Sequence, residues 1–263
     1  MLNRMETLVE AHAARRVRVE PLMGTVFSID LRDLDVPQAA IADAFSLLKE
    51  VDRRFSPFLA DSEITRLGEG RLTLDECHPD VGDVLSLCEK LRRLSGGAFN
   101  AWRFRRDGRL DPSGVVKGWA VDQAGRLLEQ AGARNFCINA GGDVLARGQP
   151  SPQTGWRIGI RNPEDAKTLA AVIEVADLAV ATSGSYERGA HIIDARTGAP
   201  APGLSSLTVV GPTMTWADAY ATIGFAMGPA GVKWASSQTG HAAYGVGSDG
   251  RVLYDAAFAR LLV

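Results

Sequence analysis

The chain reads as an α+β protein with largely antiparallel sheets. Three observations predict this. Strand-like runs come in pairs joined by short turns, the helix-like runs are grouped, and the order shows no regular strand–helix alternation. Apolar residues are 46% of the 263 and charged residues 23%, the balance of an ordinary folded protein and not of a disordered tail or a fibre.

Each element follows from local pattern. Val17 to Glu20 alternates until Pro21-Leu22-Met23-Gly24 breaks the run. Thr25 to Arg32 alternates again, with Phe27, Ile29 and Leu31 on one face. Asp35-Val36-Pro37-Gln38 has the composition of a helix start, and Ile41, Phe45, Leu48, Val51 and Phe55 follow at helical spacing up to Ser56-Pro57. Pro79 to Leu94 forms a second amphipathic helix, closed by Gly96-Gly97. A third is expected from near Lys117 to Gly132. Strands are expected at Trp156–Arg161, Leu169–Val175, Leu178–Thr182, Ala190–Asp194 and Ser206–Gly211. Helices over about Trp216 to Met227 and Ala230 to Gln238 come next, then a hairpin joining Ala243–Val246 to Val252–Tyr254. Residues 1–16 read as an N-terminal tail and 17–263 as one domain, with a candidate internal boundary in the Pro/Gly-rich stretch 148–155.

Composition narrows the function. A net charge of −2, from 29 basic and 31 acidic residues, carries no basic surplus for a nucleic acid. Three cysteines without a C-x-x-C pair make neither a disulfide framework nor a zinc ribbon, and fit a reducing compartment. The charged N-terminus lacks the apolar core of a signal peptide, and no run reaches the ~18 apolar residues of a membrane span. The expectation is a cytoplasmic protein with no membrane insertion. P-loop, dinucleotide-binding, zincin and nucleophile-elbow motifs are absent.

Five polar clusters remain. Asp111-Pro112-Ser113-Gly114-Val115-Val116-Lys117-Gly118 puts a lysine near a helix start, a setting for a phosphate or for a plain solvated helix entry. Asn139-Ala140-Gly141-Gly142-Asp143 follows an apolar run and has the composition of a tight hairpin turn. Thr182-Ser183-Gly184-Ser185 ends a buried run, as a turn or as a set of phosphate- or ribose-binding hydroxyls. Thr215, Asp218 and Thr222 share one helix face, either as hard oxygen ligands for Mg2+ or as a helix-start capping pattern, which the residues alone favour. His191 sits on a strand among small and apolar neighbours, a setting that more often makes a histidine structural than catalytic.

The order of these pieces carries a resemblance. Met23-Gly24-Thr25, Phe55-Ser56-Pro57-Phe58, Asp61-Ser62-Glu63-Ile64, Gly97-Ala98-Phe99-Asn100, the Asp111–Asp122 cluster, Asn139 to Asp143, Thr182 to Arg188, His191 to Gly198 and Trp216-Ala217-Asp218-Ala219 with Thr222 follow one another in a set order. From about Met23 to Gly228 the chain resembles the ApbE family, the FAD:protein FMN transferases. The resemblance implies an α+β fold of two intimately packed halves around an FAD site. It implies Mg2+-dependent transfer of FMN from FAD to a threonine (or serine) hydroxyl of an acceptor protein, with release of AMP. By the same carry-over Met23, Phe58, Ala98, Phe99, Asn100, Asp111 and Lys117 line the FAD. Gly114 offers a carbonyl to the metal, and Asp218 and Thr222 offer side-chain oxygens. Lys117, Asp218 and His191 are then the catalytic candidates, His191 as the base that takes the hydroxyl proton. In that context Asp218 becomes a metal ligand before it is a cap. An FAD pyrophosphatase and a non-catalytic FAD-binding protein are the alternatives.

The chain departs from the family pattern at several places. Thr215 stands where an acid is usual, Asn100-Ala101-Trp102 where Asp-Pro-Thr is usual, and Ala195 where Pro is usual. The hairpin between Tyr186-Glu187-Arg188 and His191 is almost deleted.

Overall fold

The structure is a computed structural model that describes residues 16–102, 108–185, 192–200 and 202–263. Its centre is one eight-stranded sheet, and every neighbouring pair in it is antiparallel. The strands are β1 (Arg16–Leu22), β2 (Thr25–Leu31), β3 (Phe136–Ala140), β4 (Asp143–Arg147), β7 (Ala179–Gly184), β10 (Leu204–Gly211), β11 (Ala242–Gly247) and β12 (Val252–Tyr254), in that spatial order. Three excursions interrupt it. The long one between β2 and β3 carries helices α1 (Ala39–Phe55), α2 (Glu63–Gly68), α3 (Pro79–Leu94) and α4 (Ser113–Gln130). A second carries the two-stranded ribbon β5 (Trp156–Arg161) and β6 (Leu169–Val175), and a third the short pair β8 (Ile193–Asp194) and β9 (Ala199–Pro200). Helices α5 (Met214–Ala226) and α6 (Pro229–Ser236) connect β10 to β11, and α7 (Ala256–Ala259) follows β12.

The period-2 pattern of the strands puts a separate core on each face of the sheet. Phe27, Ile29 and Leu31 of β2 are fully buried against Phe45 and Leu48 of α1 and the apolar sides of α4 and α5. The opposite face buries Val180, Val210, Tyr244 and Val246 under Trp156 and Ile173 of the β5–β6 ribbon and Phe258 of α7. The chain leaves the sheet for that ribbon through the 148–155 stretch. There Ser151 and Thr154 bridge each other and Gln153 adopts a positive φ of 65°.

Two hairpin turns position the functional end. Met23-Gly24 joins β1 to β2 with φ of 50° and 70°, the backbone of a two-residue hairpin whose twist matches its strands. A methionine there is strained, and its N–H donates to Asp52 Oδ2 of α1 at 3.2 Å. Gly141-Gly142 makes the matching turn between β3 and β4, with φ of 65° and 104°, and Asn139 Oδ1 accepts the Gly142 N–H at 2.9 Å. A Cβ on Gly141 would lie 2.4 Å from Thr25 Oγ1, so the two turns close on each other.

Two helix starts differ from expectation. α1 begins at Ala39 after Gln38, and the Gln38 side chain makes no capping bond. The expected third helix, α4, begins at Ser113, four residues before Lys117, because Asp111 Oδ1 accepts the Ser113 N–H at 2.9 Å and nucleates the turn there. α2 had no apolar period long enough to predict it. Ser62 starts it by accepting the Thr65 N–H at 3.1 Å. Among the described residues no helix is long and apolar enough to cross a membrane.

Candidate active site between helices α4 and α5

Helices α4 and α5 pack where Gly118 has no side chain. A Cβ there would lie 2.6 Å from Met214 O and 3.0 Å from Asp218 Cβ. This approach brings Lys117 of α4 and Asp218 of α5 to the same end of the sheet as Asp143, the first residue of β4.

Lys117 lies in the second turn of α4, so it does not supply the free N–H groups of a helix start. Its ammonium pairs with Asp143 Oδ2 and lies 3.5 Å from Asp218 Oδ1. Burial alone would lower the Lys117 ammonium, but the Asp143 and Asp218 charges overcome it and hold its pKa above the usual lysine range. Burial raises the Asp218 carboxyl above its usual range, Lys117 pulls it back, and Asp143 pushes it up. Asp143 has a second task, since its Oδ1 accepts the Thr182 N–H of β7 at 2.8 Å.

Asp218 Oδ2 is buried and has no hydrogen-bond partner. A buried carboxylate oxygen left unpaired costs free energy unless something binds it. One turn along the same face stands Thr222, whose Oγ1 is 3.2 Å from Ser183 Oγ of β7. Gly114 is buried in the first turn of α4. These are hard oxygen donors, the type Mg2+ takes. Among the described residues no three His, Cys, Asp or Glu side chains converge on one point, so such an ion would depend on hydroxyl and carbonyl oxygens and on water.

Thr215 does not join this set. Its hydroxyl and its N–H, at 2.8 Å, both donate to Asp122 Oδ2, and the Met214 N–H donates to Asp122 Oδ1 at 2.9 Å. Asp122 of α4 therefore caps α5, whose own N-cap Thr213 makes no side-chain bond. The Thr215–Asp218 capping pattern is not used, and an acid at 215 would face Asp122 directly.

The remaining sequence candidates form a rim. Phe58 is 81% exposed on a loop where Ser62 Oγ donates to Ser56 O at 2.7 Å and the Phe58 N–H donates to Ser56 Oγ at 3.3 Å. Phe99 is 2% exposed and packs in the core with Ala98, so its ring offers no stacking face. The exposed aromatic beside it is Trp102, whose N–H donates to Asn100 Oδ1 at 2.9 Å. Asp111 is buried at the start of α4. The Ala195 N–H donates to Ala98 O at 3.1 Å, a bond that proline could not make, and it ties the β8–β9 segment to the Ala98–Asn100 loop. His191 and Tyr186 lie outside the described residues. The partner of Lys117 was not among the sequence's site candidates. Asp143 ends a motif whose glycines already explain a hairpin, and only its place beside the Thr182–Ser185 hydroxyls hinted at more.

These features define a class, an antiparallel α+β protein in which a half-exposed lysine meets two buried carboxylates between two helices and a strand. The fold matches two solved structures, the flavin transferase ApbE from Vibrio cholerae and the ApbE protein from Thermotoga maritima. Both have a TM-score of 0.81 and 22% identity over 94% of this chain, and they are covered to 100% and 99%. The sequence profile of the ApbE family matches residues 23–104 and 102–244, and the chain belongs to that family. Curated relatives include the FAD:protein FMN transferase of Escherichia coli K12, 34% identical over 151 residues, which are 54% of this chain and 43% of that protein. The FAD:protein FMN transferase of Vibrio cholerae O395 is 28% identical over 267 residues, 77% of this chain and 78% of that protein. The chain thus spans less than half the length of the Escherichia coli relative in that match.

Proposed function

We propose that this protein transfers FMN from FAD to a threonine or serine hydroxyl of an acceptor protein and releases AMP. The observation that carries the reading is the unpartnered Asp218 Oδ2, buried beside Lys117 in an ApbE fold. The acceptor oxygen attacks the phosphorus on the FMN side of the pyrophosphate. The bond from that phosphorus to the AMP oxygen breaks, and the hydroxyl proton leaves to a base, for which His191 remains our candidate.

Asp218, Thr222 and the Gly114 carbonyl would hold a Mg2+ ion, which when bound supplies positive charge to the phosphate oxygens as the negative charge shifts to AMP. Lys117 pairs with Asp143, stands 3.5 Å from Asp218 Oδ1, and keeps its charge at the mouth of the cluster, where its side chain is 31% exposed. Buried Thr222 and Ser183 hold their hydroxyls in a shared bond, so the site is set before substrate arrives. On the rim, Phe58 and Trp102 are aromatic surface for the isoalloxazine or adenine ring, with Met23, Ala98, Phe99, Asn100 and Asp111 forming the backing. None of Cys77, Cys88 and Cys137 is in a disulfide, which fits a reducing compartment, and we place the reaction in the cytoplasm.

Incubation with FAD and Mg2+, with and without candidate acceptors, tests the reading. AMP together with a fluorescent acceptor band is the expected result. AMP with free FMN would make the protein an FAD pyrophosphatase, and FAD binding without AMP would make it a carrier.

A further inference from the structure

We infer that Asp143 is a positioning residue whose work is to hold the Lys117 ammonium off Asp218, leaving the Asp218 carboxylate open for a divalent cation. The inference rests on the metal reading given above.

Lys117 stands between two buried carboxylates, and the structure shows it unequally shared. It pairs closely with Asp143 Oδ2, yet stays 3.5 Å from Asp218 Oδ1. Asp218 Oδ2 makes no hydrogen bond, and the carboxyl's other neighbour is the Gly118 N–H. A lysine beside one buried carboxylate would form a tight pair with it, because both charges gain by closing the gap in a dry site. Such a pair would occupy the oxygen that the metal needs.

Asp143 can prevent this because its carboxyl is held in place from the other side. It follows the Gly141-Gly142 turn, and that turn is packed on Thr25. Its Oδ1 is fixed by the Thr182 N–H at 2.8 Å, which leaves Oδ2 aimed at the ammonium. Thr182 belongs to β7, and the next residue, Ser183, contacts Thr222. One strand therefore fixes both the anchor of the lysine and the hydroxyl beside Asp218. The second carboxylate also offsets the lysine's charge, so the cluster stays net negative (Lys117 against Asp143 and Asp218) and attracts a cation.

Asp143→Asn isolates this role. It keeps an oxygen for the Thr182 N–H and removes only the charge that holds the ammonium. The probe is Mn2+ alone, with its affinity read by electron paramagnetic resonance, without FAD or acceptor. We expect an affinity loss of at least about tenfold at an unchanged melting temperature, on the scale of other supporting-residue losses at metal sites. A crystal structure of metal-free Asp143→Asn should show Lys117 Nζ moved into a direct bond with Asp218. Asp143→Glu retains the charge and should bind Mn2+ more tightly than Asp143→Asn. Lys117→Met removes the competing ammonium and should bind Mn2+ at least as tightly as the wild type. This last variant tests the idea even if Asp143→Asn does not fold. An Asp143→Asn protein that binds Mn2+ normally, or loses affinity with Lys117 still in place, overturns the inference and leaves the metal reading standing. So does a Lys117→Met protein that binds Mn2+ more weakly. A wild-type protein that binds no Mn2+ overturns both.

Discussion

Asp122 and Asp218 are two buried aspartates at the same helix–helix contact, one on α4 and one on α5, and they are treated in opposite ways. Asp122 is saturated by the Met214 N–H, the Thr215 N–H and the Thr215 hydroxyl, all from neutral donors at the start of α5. Asp218 has a distant lysine at Oδ1 and the Gly118 N–H beside its carboxyl, while Oδ2 makes no hydrogen bond. A carboxylate whose lone pairs are filled by its own protein is a structural fastener. One left short of donors in a dry place costs the fold stability, and on the proposed reading that cost is offset by a bound cation. The difference teaches that burial alone does not separate a structural carboxylate from a candidate ligand; what separates these two is how many donors the protein itself supplies.

The comparison breaks most visibly at Asp218. Asp218→Asn should lower AMP release from FAD by at least about 10²-fold, the scale of losing one electrostatic stabiliser. It should leave the melting temperature equal or higher, because an unfavourably buried charge is gone. Asp122→Ala should do the reverse. Stability in urea should fall by about 3 kcal/mol as the α5 N–H groups and the Thr215 hydroxyl lose their acceptor. Mn2+ affinity per folded molecule should change little. Gly118→Ala strikes both aspartates at once, since its methyl meets Met214 O at 2.6 Å. A loss of about 1–3 kcal/mol and a weaker Mn2+ affinity should appear together. If stability falls alone, the two sites are less coupled than the shared contact implies.

The smallest effect sharpens what an unpartnered atom means. His241 Nε2 is also buried without a partner, against Gly211, while Nδ1 lies 2.9 Å from Thr239 O. Burial lowers its pKa from 6.5, opposed by the backbone bonds to Thr239 and Gln238. The folded state then favours the neutral ring, so stability is complete above about pH 6.5 and is lost as pH falls through the window below it. His241→Gln should flatten that slope in unfolding curves taken between pH 7 and 5. His241 is not part of the Lys117–Asp143–Asp218 cluster, and Mn2+ affinity should not change.

The fold was legible where periodicity and punctuation agreed. β2 with Phe27, Ile29 and Leu31, helix α3 from Pro79 to Leu94, and the ribbon strands β5 and β6 stand where their patterns put them. Helix starts were less legible, because α4 is set by Asp111 and α5 by Asp122, and the latter lies 92 residues away in sequence from the first N–H it caps. The site was legible in part. The spacing of Asp218 and Thr222 marked a shared helix face, but nothing local in the sequence could tell a cap from a ligand. That choice depends on Asp122 taking the capping role. The Lys117–Asp143 pair joins a helix to a strand across 26 residues, and no periodicity spans them. The aromatic reading was legible only as composition, since Phe99 lies in the core whereas Phe58 and Trp102 are exposed.

The most direct measurement compares Asp122→Asn with Asp218→Asn on two axes, Mn2+ affinity and urea stability, in the same buffer. Asp218→Asn should lose Mn2+ binding at full stability and Asp122→Asn should lose stability with Mn2+ binding kept, a division of labour between the two aspartates. Equal Mn2+ affinities for the two variants would contradict it.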